Sequence, residues 1–208
     1  MSKQKWKGGA LIAPVPPAMI SCGSDEAGNT NIITIAWTGI INTNPPKTYI
    51  SVRPSRHSYN IIKNSGEFAI NLTTKELVRH ADFCGIYTGA KVDKFQKCAL
   101  HKENATEISC PLIEESPLSL ECKVIDIVPL GTHDMFIADI VAVDVDEKLI
   151  DKEGKLRLDK AGLAAFAHGE YFALGEKLGT FGFSVKKKKK RKPQKQKMSD
   201  KKVECSTK

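Results

Sequence analysis

The chain has 208 residues, 41% of them hydrophobic and 27% charged, with a formal net charge of +8 at pH 7. That composition suits one globular domain with a substantial core and argues against a second full domain. The charge is unevenly placed: twelve of the 32 basic residues and two of the 24 acids follow Val185, so residues 186–208 carry +10 and the preceding 185 carry −2. Lys3, Lys5 and Lys7 precede only a short apolar stretch broken at Pro14, Pro16 and Pro17, unlike a secretory leader. No apolar run is long enough to cross a membrane, so the expected compartment is the cytoplasm.

Strands are predicted at 18–24, 32–38, 49–53 and 67–72, separated by turn chemistry in DEAGN from Asp25 and NTNPP from Asn42. A helix is predicted over 57–64, where Tyr59, Ile61 and Ile62 recur in helical order and Gly66 stops the run. Another is predicted over 74–84, with Thr74 as N-cap and Leu77, Val78 and Ala81 on one face. Segments 118–128 and 135–145 alternate as strands, and GTHD from Gly131 joins them into a hairpin. Antiparallel strands with tight turns and few helices predict a mainly β barrel rather than a doubly wound sheet. Residues 186–208 hold too little apolar surface to offset their ordering entropy, so the expectation is a domain over 1–185 and a disordered basic tail.

The densest chemistry lies between two of these elements. One predicted strand ends in Arg53, and Ser55, Arg56 and Ser58 follow at the mouth of the first helix. Two guanidiniums, two hydroxyls and free helix amides make a bed for a phosphate, although solvated arginines at a strand end are common. Trp37 lies on the neighbouring predicted strand, so the pairing of phosphate seat and aromatic points to a flavin mononucleotide (FMN) pocket. Gly175, Gly179 and Gly182 lack the spacing of a dinucleotide-binding loop. The six cysteines stand singly without a CxxC pair, which favours reduced structural thiols over a zinc or iron–sulfur site.

Several segments recur in order: NIITIAWTG from Asn31, SVRPSRHSY from Ser51, GEFAINL from Gly66, DFCG from Asp82, VDKF from Val92, GTHDMF from Gly131 and LGTFGFSV from Leu178. Together they resemble the flavin reductase-like, flavoredoxin-type family. The resemblance implies a split β-barrel that holds FMN noncovalently on its outside, at a homodimer interface. It implies that Arg53, Ser55, Arg56 and Ser58 anchor the phosphate, with Ser58 nearest the flavin. Asn31 and Trp37 would line the isoalloxazine, Thr38 or its amide would face the ring edge, and Lys94 would reach the cofactor's polar end. His133 would donate to the phosphate or position a nicotinamide, and it is a weak candidate for acid–base work. Phe166, with His168 and Tyr171, would meet the flavin, although the spacing there is helical and also suits a packing face. Cys84 would help shape the cofactor loop or sense redox state; buried packing is the better reading.

The implied activity is an oxidoreductase passing electrons from NAD(P)H or another donor, through FMN, to free flavin, a ferric complex or a redox protein. The alternatives are an electron-transfer flavoprotein without intrinsic NAD(P)H oxidation and, from a different class, a protein binding nucleic acid or another polyanion through its Lys-rich tail.

Overall fold

The computed structural model describes residues 1–185, so the basic tail lies outside the described residues. The chain divides into two compact units at Leu174 and Gly175. The second is described only as far as a short 3-10 turn at Phe183–Val185. All strands of the described residues belong to the first.

The strands are β1 (Ala18–Cys22), β2 (Asn31–Ile35), β3 (Thr38–Thr43), β4 (Pro46–Val52), β5 (Glu67–Asn71), β6 (Lys102–Glu103), β7 (Leu112–Ile113), β8 (Leu118–Pro129), β9 (Asp134–Val145), β10 (Ala164–Ala167) and β11 (Glu170–Ala173). The helices are α1 (His57–Ser65), α2 (Val78–Ile86) and α3 (Lys94–Cys98). Seven strands form one antiparallel sheet in the order β2-β1-β5-β8-β9-β4-β3. Its two edge strands, β2 and β3, are consecutive in sequence and joined only by Ala36 and Trp37. Two residues reach only about 7–10 Å, so the sheet must curl until its edges meet. The result is a barrel open along one seam, between β2 and the β3–β4 pair.

Strand β1 is buried at every position because both its faces are covered. Ala18, Ile20 and Cys22 point into the barrel with Ile50, Phe68 and Phe136. Met19 points the other way, into a layer made with Ile32 and with Leu77, Ala81, Cys84 and Phe95 of the α2–α3 region. Helix α1 runs as the sequence predicts and stops at Gly66, whose left-handed φ of 70° lets its amide return to the Ile62 carbonyl. The β8–β9 hairpin is also present, with Gly131 at φ 97° and the Leu130 amide donating to the His133 carbonyl.

Three expectations need correction. The strand predicted over 32–38 breaks after Ile35, so Trp37 sits in the link between β2 and β3, not on a strand with Asn31. Thr74 caps a turn, its hydroxyl accepting from the Leu77 amide, and α2 itself starts at Val78. The helical spacing around Phe166 belongs to a β-hairpin: Ala167 pairs with Glu170 across a two-residue turn in which His168 and Gly169 have φ of 50° and 89°. Two consecutive left-handed residues suit the right-handed twist of a short hairpin.

Candidate functional site

The seam is where charged and aromatic side chains collect. At the end of β4 the chain turns sharply, the Arg56 amide donating to the Arg53 carbonyl at 3.0 Å. Arg56 is extended (φ −78°, ψ 138°) and α1 begins immediately after it, with no side-chain cap and no acid in its first turn. The His57 and Ser58 amides therefore lack helical partners and carry the positive end of the helix dipole. Among the described residues, no carboxylate pairs with Arg53 or Arg56.

Two hollows open here. The first is lined by Asn31, Ser55, Arg56, Ser58, Gly89 and Lys94, among others. The second is lined by Trp37, Val52, Arg53, Arg56 and His133 against β2. They share Ile33 and Arg56, which makes them one cleft along the open edge of β2. Among the described residues, no carboxylate lines either hollow.

The floor of the first hollow is a fixed polar network. Ser58, 1% exposed, accepts a hydrogen bond from Asn31 Nδ2 at 2.7 Å. The hydroxyl is thus tied to Asn31, and the Ser58 amide lies in the uncapped first turn of α1. Gly89 packs directly on the Asn31 amide; a Cβ there would lie 2.2 Å from Oδ1. Lys94 is 3% exposed, and its ammonium donates to the carbonyls of Ile32 (2.6 Å) and Cys84 (2.8 Å). Burial holds its pKa below the ordinary lysine value. Lys94 therefore ties the β2 edge to the end of α2 while lining the first hollow, and it is not a solvated loop residue. Because the Ile32 carbonyl points outward, the two-residue strand period directs the Thr34 peptide groups into the same open edge.

The second hollow has the aromatic wall. The Trp37 and His133 rings lie 4.5 Å apart, tilted by 44°. Arg53 Nε donates to His133 Nε2 at 3.3 Å, and Thr132 Oγ1 lies 3.0 Å from Nδ1. Acceptance at Nε2 leaves the proton on Nδ1, where Thr132 accepts it. Burial, then the charges of Arg53 and Arg56, hold the imidazole pKa below its usual value, so His133 is neutral at pH 7. A neutral imidazole among two guanidiniums leaves the cleft positive and suited to an anion.

The structure thus brings together Asn31, Arg53, Ser55, Arg56, Ser58, Lys94, Trp37 and His133. It leaves out Thr38, whose hydroxyl donates to the Tyr49 carbonyl at 2.6 Å, in an apolar recess on the far side of Trp37 lined also by Ile12 and Val15. It also leaves out Phe166, which bridges Val15 through two backbone hydrogen bonds and stacks edge-on against Tyr171 at 5.1 Å. Sequence reasoning missed Gly89 and the bond between Asn31 and Ser58. TGAK at Thr88 reads as an ordinary turn, and nothing local reveals which side chain it must clear.

Fold and cleft together define a split β-barrel with a positively charged, aromatic-walled cleft along its seam. The chain belongs to the flavin reductase-like domain family, which matches residues 12–175. The flavoredoxin of Desulfovibrio vulgaris (Miyazaki F) superimposes with a TM-score of 0.82 and 30% identity, covering 89% of this chain and 100% of that one. The flavoredoxin of Methanosarcina acetivorans gives 0.79 and 25%, with the same coverage. An uncharacterised protein of Archaeoglobus fulgidus is 30% identical over 125 residues, 60% of this chain and 70% of its own. An FMN reductase (NADH), RutF of Agrobacterium fabrum, is 23% identical over 106 residues, 51% of this chain and 59% of its own.

Proposed function

We propose that this protein is an oxidoreductase that holds FMN noncovalently in the seam and passes electrons from NAD(P)H or another donor to an acceptor such as free flavin, a ferric complex or a redox protein. The observation that carries this reading is the convergence, in one cleft, of two guanidiniums with no carboxylate partner among the described residues, the uncapped α1 amides and the Trp37–His133 wall. That donor set matches a dianionic phosphate, and guanidinium forks bind it with charge-assisted hydrogen bonds. The flavoredoxin and FMN reductase relatives support the same reading.

Arg56, shared by both hollows, holds the phosphate with Arg53, Ser55 and the His57 and Ser58 amides. Trp37 and the open edge of β2 orient the flat ring, and the outward Thr34 peptide groups supply a donor and an acceptor to its polar rim. Asn31, Ser58, Gly89 and Lys94 keep that edge in place. Bound FMN supplies the redox chemistry. His133, neutral and fixed by Arg53, braces Trp37 and moves no proton. Exposed Ile40 and Ile41 on β3, Ile125 on β8, and Val141 and Val143 on β9 leave apolar surface that a second copy of the chain covers in a homodimer.

The test is absorbance of the purified protein after FMN addition and desalting, followed by anaerobic mixing with NADH and NADPH. A stoichiometric flavin band that Arg53→Ala and Trp37→Ala both weaken, and that NAD(P)H bleaches rapidly, is expected. A retained band that neither nicotinamide bleaches would replace the reductase with an electron-transfer flavoprotein. No retained flavin at micromolar protein would overturn the cofactor assignment.

A further inference from the structure

The link between β2 and β3 walls more than the flavin cleft. Ala36 and Trp37, which line the second hollow, also line the apolar recess beyond it, a cavity of about 210 Å³ closed by Ile12, Val15, Thr38 and Tyr49. Among the described residues, no charged side chain lines this recess. Its walls are held in place. Val15 exchanges two backbone hydrogen bonds with Phe166, at 2.9 and 2.8 Å. The hydroxyl edge of the Tyr49 ring lies beside Gly39 on the neighbouring strand, where an added Cβ would stand 3.5 Å from Cε1 and 3.8 Å from the hydroxyl oxygen. Trp37 is supported by the His133 ring at 4.5 Å, yet 45% of it stays exposed.

Few polar atoms remain uncommitted on these walls. The Thr38 hydroxyl donates to the Tyr49 carbonyl at 2.6 Å. Among the described residues, the Tyr49 hydroxyl and the Trp37 indole N–H have no hydrogen-bond partner. Both groups donate, so the ligand that complements them brings an oxygen acceptor. A carboxylate or phosphate would lose its hydration here without gaining a counter-charge. The indole face favours a flat ring stacked or tilted against it. The volume is below the roughly 300–1,000 Å³ of sites for drug-sized molecules, which limits the ligand to one or two rings.

We propose that this recess is a binding site, separate from the flavin cleft, for a small uncharged aromatic ketone or quinone, its ring against Trp37 and its carbonyl oxygen accepting from the Tyr49 hydroxyl. Because Ala36 and Trp37 belong to both hollows, this ligand and a ring held in the seam share one indole wall. On the FMN reading proposed above, the ligand lies next to the flavin. Binding itself needs no flavin, so the two readings fail separately.

The experiment titrates para-fluoroacetophenone with the desalted full chain and follows the ligand by fluorine NMR line broadening, at two protein concentrations and again after FMN is added. Para-fluoroethylbenzene, which lacks the acceptor, and para-fluorobenzoate, which is charged, serve as comparisons. Saturable binding of the ketone is expected, with weaker binding of the ethylbenzene and none of the benzoate. Tyr49→Phe should weaken the ketone about threefold to tenfold, as loss of one neutral hydrogen bond does, and leave the ethylbenzene unchanged. Val15→Phe, which fills the recess, should abolish binding of both; if that variant does not fold, the comparison of the two ligands in Tyr49→Phe still decides. Absence of saturable ketone binding, or equal affinity for ketone and ethylbenzene, overturns the proposal. Displacement of the ketone by FMN also overturns it, because the recess would then be part of the flavin pocket. Binding that weakens as protein concentration rises gives the recess to a second copy of the chain and overturns it equally.

Discussion

Gly89 and Asn31 are packed so closely that a methyl group on Gly89 would stand 2.2 Å from Asn31 Oδ1, 2.5 Å from Cγ and 2.7 Å from Nδ2. Asn31 cannot retreat, because its amide donates to the buried Ser58 hydroxyl and its backbone is paired to β1. Gly89→Ala must therefore displace the 86–93 loop or break the Asn31–Ser58 bond. The expected cost is about 1–3 kcal/mol, the range for overpacking or for one stranded buried hydrogen bond. Calorimetry should show a lowered melting temperature and desalting a loss of flavin. Adding Asn31→Gly should recover part of the stability, so that the double variant costs less than the two single changes combined. A Gly89→Ala variant that melts like wild type would contradict the contact.

Arg56 is the one charged group common to both hollows, and its proposed partner is the phosphate. FMN differs from riboflavin only in that phosphate, so the two ligands separate this role from general damage to the cleft. Arg56→Ala should weaken FMN binding by roughly tenfold to a hundredfold, since a charge-assisted hydrogen bond contributes about 1.5–3 kcal/mol. Riboflavin affinity should change little. Fluorescence quenching titrations with both ligands decide it, and equal losses for the two would remove the phosphate from Arg56.

How much of this was legible in the sequence follows from range. The α1 stop at Gly66 and the GTHD hairpin are set by contacts within a few residues, and they are where the pattern puts them, while the strands predicted at 18–24, 49–53 and 67–72 fall on β1, β4 and β5. The break between β2 and β3 is not local: AWT continues a good strand pattern, and only the curling of the whole sheet forces the turn at Trp37. The cluster of Arg53, Ser55 and Arg56 was legible because its members lie within four positions. The Asn31–Ser58 bond, 27 residues apart, was not. Lys94 read as a reaching or solvated lysine because nothing nearby in sequence marks the carbonyls of Ile32 and Cys84 as its partners. Near Phe166, the left-handed turn falls on His168 and Gly169, and the four-residue strands on either side are too short to tell from helical spacing.

Two histidines should make stability depend on pH in opposite directions. The His133 pKa is held down by burial and by Arg53 and Arg56, so the unfolded chain takes up its proton first as pH falls. Its contribution is fully present above the unfolded value near 6.5 and is lost as pH drops through the folded value. The His101 pKa is raised by its hydrogen bond and ion pair to Glu115, so that contribution is present below about 6.5 and disappears as pH rises through the folded value. Urea midpoints at pH 7.5 and 5.5 should therefore converge in His133→Asn, which removes the acid-side loss. They should separate further in His101→Asn, which removes the acid-side gain. The same shift in both variants would exclude this assignment.

Glu121 on β8 is fully buried, and its carboxylate secures the loop that follows β6. It accepts from the Thr106 amide (2.8 Å), the Thr106 hydroxyl (2.9 Å), the Glu107 amide (2.7 Å) and the Ile108 amide (3.1 Å). Burial alone would raise its pKa, but these donors outweigh burial and hold it below the ordinary carboxylate value. Neighbouring Asp144 moves the other way, raised by burial and by the Glu121 charge. Glu121→Gln keeps the shape but turns an NH2 group toward amides that themselves donate, leaving at least one buried N–H without an acceptor. The expected loss is on the order of 3 kcal/mol, because unsatisfied groups facing a former charge cost more than a neutral bond contributes. Glu121→Asp, which keeps the charge but shortens the reach, should cost less. Hydrogen exchange localises the effect: the Thr106, Glu107 and Ile108 amides should lose protection in Glu121→Gln ahead of the barrel strands. Uniform loss across the sheet would mean that Glu121 supports the barrel rather than this loop.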